Sequence, residues 1–116
     1  LVGVAMCVAP ATADAARSPT HSESAAIAKA AFGSPYARLV LGKFVVRTVR
    51  VSTHGPWARA ALAAKPRPAT RVRAALAVFK RTHGTWTLAQ LGTARVGCDI
   101  GMPKAVRRDL QLTCPT

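Results

Sequence analysis

Residues Leu1 to Ala15 read Leu-Val-Gly-Val-Ala-Met-Cys-Val-Ala-Pro-Ala-Thr-Ala-Asp-Ala. An apolar run that closes in small residues has the pattern of the back half of a secretory signal peptide. Ala11-Thr12-Ala13 and Ala13-Asp14-Ala15 are overlapping cleavage motifs within it. No cationic start precedes Leu1, so the run is read as a signal remnant. This removes the most hydrophobic stretch from the fold. It also places the rest of the chain where thiols oxidise. The competing reading is a frayed tail or a buried strand, but the polar stretch Arg17 to Ser24 follows at once. The run is too short to cross a bilayer, which takes about 20 residues. Cys7 follows Met6 rather than a small residue, so it reads as part of the signal, not as a lipid acceptor.

Cleavage near Ala15 leaves two cysteines, Cys98 and Cys114, enclosing the fifteen residues Asp99 to Thr113. In an exported chain such a pair is most simply a disulfide. Closing a loop of that length contributes about 3 kcal/mol in the chain-entropy picture. Free or metal-bound thiols are the alternative, with no further Cys or His beside them. Residues 16–22 read as a flexible leader, and residues 23–116 have the length of a single domain. Half of the chain is hydrophobic, but roughly a fifth of it is Ala, so the core is thin in large side chains.

The formal charge is +13. A field this positive favours polyanions: nucleic acid, acidic cell-surface polymers or anionic headgroups. The bland alternative is compositional. Ala, Arg, Gly and Pro are abundant and Asn is absent, as a GC-rich genome would dictate. The candidate polyanion contacts are Arg47, Arg50, Arg59, Arg71 and Arg73.

Along the chain, Ala25 to Phe32 reads as a short helix capped by Ser22 and stopped by Gly33 and Pro35. A further helical turn covers Tyr36 to Leu41. The period then changes. Phe44 to Val51 is rich in β-branched residues and reads as a strand. Thr53 to Pro56 is a turn. Trp57 to Ala64 alternates weakly, a strand whose Ala content also permits a helix. Lys65 to Pro68 is a loop. Arg71 to Arg81 alternates, with Val72, Ala74, Leu76 and Val78 on one face. Arg71, Arg73 and Arg81 share the other face with Phe79. Thr82-His83-Gly84-Thr85 is a hairpin connection. Trp86, Leu88 and Gln90 share one face of the returning strand, which Gly92 ends. Pro103 opens a short helix over Lys104 to Leu110, with Val106 and Leu110 turned to the sheet. The expected class is α+β: an N-terminal helix on a three- to four-stranded antiparallel meander, then a disulfide-clamped C-terminal segment with a short helix.

Val49-Arg50-Val51-Ser52, Trp57-Ala58-Arg59-Ala60, Gly84-Thr85-Trp86-Thr87-Leu88, Gly92-Thr93 and the Cys98–Cys114 pair resemble small exported actinobacterial proteins of unassigned function. The order of helix and meander, with its Gly-x-Trp hairpin, is similar to cystatin-like and NTF2-like α+β domains. The chain departs from the NTF2-like pattern in its short length, its brief N-terminal helix and its lack of a pocket acid or His pair. The resemblance therefore bears on fold more than on activity.

No catalytic signature is visible. Asp99 and Asp109 read as surface ion-pairing acids, the latter beside Arg107 and Arg108. His21, His54 and His83 do not recur at metal-ligand spacing. Ser52, Thr53 and His54 are adjacent, which is not triad geometry. Trp57 and Trp86 are either core residues or stacking contacts for a base, a sugar or a protein. The expectation is a secreted monomer without cofactor, acting as a non-enzymatic binding or structural domain. Its partner would be an acidic polymer or an extracellular protein. The alternatives are a dedicated polyanion binder and a small NTF2-like ligand carrier or enzyme with a pocket between helix and sheet.

Overall fold

The computed structural model describes residues 16–65 and 74–114, and its elements run α1 (His21–Phe32), α2 (Pro35–Leu41), β1 (Phe44–Val51), β2 (Trp57–Ala64), β3 (Ala74–Thr82), β4 (Thr85–Gly92) and α3 (Lys104–Asp109). The strands form one antiparallel meander in the order β1-β2-β3-β4. The class is α+β, as expected. The region read as a signal, the prolines of the β2–β3 connection, and Arg71, Val72 and Arg73 lie outside the described residues.

The first helix starts earlier than Ser22. Thr20 is its N-cap, accepting from the Glu23 amide at 3.1 Å, while Glu23 Oε1 accepts from the Thr20 amide at 2.8 Å. Two of the helix's orphan donors are thereby satisfied by a Thr-x-x-Glu capping box. The stretch read as leader carries specific contacts. Arg17 exchanges two main-chain bonds of 2.9 Å with Val51, and its guanidinium grips Glu23 at 2.7 and 2.6 Å. Ser34 caps α2, with Pro35 in its first turn where a missing N–H costs nothing.

Both edge strands carry a bulge, and each resets which residues face inward. In β1 the register slips between Arg47↔Ala61 and Arg50↔Arg59. The slip lets Phe44 and Val46, then Val49 and Val51, all join the core beneath the helices. In β4 Leu88 opposes Phe79 but Gln90 opposes Val78, leaving Ala89 as the extra residue. Gln90 therefore leaves the face that Trp86 and Leu88 occupy, contrary to the alternation, and Leu91 takes its place in the core. Gln90 Oε1 accepts from the Gly97 amide at 2.6 Å instead.

The sheet is buried on two sides. Beneath α1 and α2, Ile27, Leu41, Phe44, Leu62 and Phe79 pack with the alanines Ala58, Ala60, Ala75 and Ala77. Fully burying each of the large side chains contributes about 1.5–3 kcal/mol. On the opposite face, Trp57 and Val78 pack with Val96, Met102, Val106 and Leu110 of the C-terminal segment. Phe79 accordingly lies on the helix-covered face and Val78 on the clamped one, so β3 has no basic, solvent-facing side along its centre. The Cys98–Cys114 disulfide closes the C-terminal segment. Val106 and Leu110 are 0% and 1% exposed, facing the sheet as their spacing predicts.

Candidate functional site

An Ala-rich helix cannot fill the space beside a Trp-bearing strand. Ala26, Ala30 and Gly33 fall four and three residues apart on one side of α1, toward β4. Where they face Trp86 and Leu88 they leave an open groove of about 550 Å³. Lys29, Ser34, Thr85 and Thr87 add polar groups to this lining. The groove lies between helix and sheet, has the volume of small-molecule sites, and combines an apolar floor with few polar groups. Trp86 is 7% exposed, so it serves as packed floor rather than as a projecting platform. The Arg81 guanidinium sits 5.5 Å from its ring centroid. Trp57, 4% exposed, belongs to the second core and carries Lys80 at 5.1 Å. Both tryptophans are core residues with a cation above the ring, a contact worth about 0.5–1 kcal/mol at such sites.

A second, smaller cleft of about 260 Å³ opens on the other face, between β1–β2 and the end of α3. Arg50 and Arg59, opposite one another in the ladder, both line it. Each guanidinium is tied to main chain. Arg50 donates to Ala16 O at 2.9 Å and Ser18 Oγ at 3.0 Å, and Arg59 to Leu110 O at 2.7 Å. Burial lowers the Arg59 pKa from its ordinary value, since the charged form loses water. Of the five candidate polyanion contacts, Arg47 is exposed on β1, Arg50 holds the N-terminal segment and Arg59 the C-terminal one, and Arg71 and Arg73 lie outside the described residues.

Asp109 is the residue that sequence reasoning misplaced. It is 2% exposed and forms no surface ion pair. Its Oδ2 accepts from Ser52 Oγ at 2.8 Å, from the Thr53 amide at 2.6 Å and from Thr53 Oγ1 at 3.1 Å. Its Oδ1 is buried without a partner. One signal was legible: an acid in the last turn of a helix opposes the helix dipole and needs a partner elsewhere. Asp99 does pair on the surface, with Arg95 at 3.6 Å. The Ser52–Thr53–His54 run is a turn. The His54 amide donates to Ser52 Oγ at 3.0 Å, so the serine and the acid bond while the imidazole takes no part in that link. His21, His54 and His83 are all exposed. Among the described residues, no three His, Cys, Asp or Glu side chains gather as a metal site. The chain matches no protein-family model, no curated protein and no solved structure.

Proposed function

We propose that the protein is an exported small-ligand-binding domain whose site is the groove between α1 and β4. The groove itself carries the reading. Its apolar floor and the single ammonium of Lys29 suit a compact apolar molecule bearing an acidic group, with the hydroxyls of Ser34, Thr85 and Thr87 near its polar end. The Cys98–Cys114 disulfide supports export, since such bonds persist in oxidising compartments. The order of helix and meander agrees with the resemblance to cystatin-like and NTF2-like domains, and we infer that kinship at the level of fold alone.

The probe for this reading is anilinonaphthalene sulfonate, an apolar body with one anionic group. Titrated into the native protein, it binds saturably. Ala26→Leu, which fills the groove, weakens binding at least tenfold without lowering the urea midpoint by more than a few tenths of a molar. Lys29→Gln weakens the sulfonate more than a neutral naphthalene. Saturable binding that neither substitution changes would place the site elsewhere and sink the reading.

A further inference from the structure

The Ala13-Asp14-Ala15 motif ends one residue before Ala16. Ala16 is not a loose end. It is 8% exposed and belongs to the core cluster that holds Trp57, Met102 and Leu110. Arg50 holds its carbonyl at 2.9 Å, and the paired strand bonds of Arg17 with Val51 fix the next residue. Its nitrogen points at the end of α3, donating to the main-chain oxygen of Asp109 at 3.3 Å. Ala16 and Asp109 line the same small cleft.

We propose that cleavage between Ala15 and Ala16 creates a structural N-terminus, whose α-ammonium enters this cleft and neutralises the buried carboxylate of Asp109. The proposal rests on reading residues 1–15 as a cleaved export signal. Peptidase-catalysed hydrolysis of the Ala15–Ala16 amide consumes one water. The Ala15 carbonyl leaves as a carboxylate and the Ala16 nitrogen becomes an amine. That amine is mostly protonated at neutral pH, because α-amino groups titrate near 8. Before the cut, the nitrogen has one hydrogen, engaged by the Asp109 carbonyl. After it, the nitrogen gains two further donors and a positive charge, in the cleft that Asp109 also lines.

The need for such a partner is visible in the acid itself. All three donors on Asp109 Oδ2 are neutral, and no cation lies within salt-bridge distance among the described residues. A buried carboxylate without a counter-charge is costly, and a counter-charge with further hydrogen bonds offsets part of that cost. The other charged groups facing the cleft are Arg50 and Arg59, already tied to carbonyls. Their like charge opposes the new ammonium, which partly offsets the gain. Because Ala16 is nearly enclosed, the cut precedes closure of the domain over it.

A chain starting at Ala16 keeps every described residue of both core clusters. The test compares that chain, released from a fusion with no residue left behind, with the same chain carrying one extra N-terminal Gly. The extra residue moves the amine by about 3.8 Å. The free Ala16 chain has an unfolding equilibrium constant at least tenfold smaller, and Asp109→Asn in both backgrounds abolishes the difference. Should Asp109→Asn fail to fold, amine-selective labelling decides: the Ala16 amine reacts at least tenfold more slowly than the Gly amine at the same pH. Equal stability and equal labelling overturn the pairing. N-terminal sequencing of the exported protein tests the processing separately, and a terminus other than Ala16 overturns the role of the cut while leaving the engineered comparison intact.

Discussion

Thr48 sits at φ +53°, in the left-handed region, where a β-branched side chain crowds its own backbone. It occupies the β1 bulge, a position that glycine fills without strain. Thr48→Gly relieves about 1–2 kcal/mol of strain and gives back about 0.5–1 kcal/mol in chain entropy. The net expectation is a stabilisation of up to about 1 kcal/mol, seen as a higher urea midpoint at unchanged slope. Nothing in Phe44 to Val51 marks Thr48 as the bulge, because a run rich in β-branched residues looks regular without its partner strand. The capping residues tell the opposite story: Thr20 and Glu23 form a motif readable from spacing alone. The Arg17 guanidinium, followed by the Thr20 amide, holds the Glu23 carboxyl down at about 2. A depressed carboxyl stabilises the fold above its unfolded pKa and loses that contribution as pH falls through the folded one. The contribution of this partly solvated pair is therefore complete above about pH 4.5 and fades toward pH 2, with a size near 1 kcal/mol after solvent screening. Acid titration of Glu23→Gln beside the parent checks this. The two stability curves differ at pH 6 and converge at pH 2.

Element by element, what succeeded was local. The Thr82-His83-Gly84-Thr85 hairpin has both central residues at positive φ, +53° and +80°, the two-residue turn that matches strand twist. The strands and short helices follow from β-branched runs, Pro and Gly. What failed was the assignment of faces. Alternation identifies one buried side only when the other meets water, and here the C-terminal segment covers the second side. That cover is closed by the disulfide. Replacing Cys98 and Cys114 by Ser frees a fifteen-residue loop and lowers stability by about 3 kcal/mol. Unfolding of the variant in urea measures it. In a Trp86→Phe background, Trp57 emission shifts to the red as the clamp loosens. No loss on chemical reduction of the parent would show that packing alone holds the segment.

At the scale of the molecule, charge and core composition act together. The described acids are all engaged: Glu23 by Arg17, Asp99 by Arg95, and Asp109 by Ser52 and Thr53. Among the described residues, most Lys and Arg side chains therefore have no carboxylate partner. The protein is expected to bind heparin, with log affinity falling linearly with log salt. Arg47→Ala weakens retention, whereas Arg50→Ala acts mainly by loosening Ala16. Elution at about 50 mM salt would assign the charge to composition alone. The residues by themselves determined the class, the element order, the cysteine pairing and the positive field, because propensity, turn chemistry and charge are local or additive. Only the tertiary structure decided that Asp109 is buried, that two arginines hold the main chain at Ala16 and Leu110, that the tryptophans are core, and that an alanine stripe leaves a groove. Each of those depends on which residues meet across strands and layers, and a one-dimensional pattern does not carry that information.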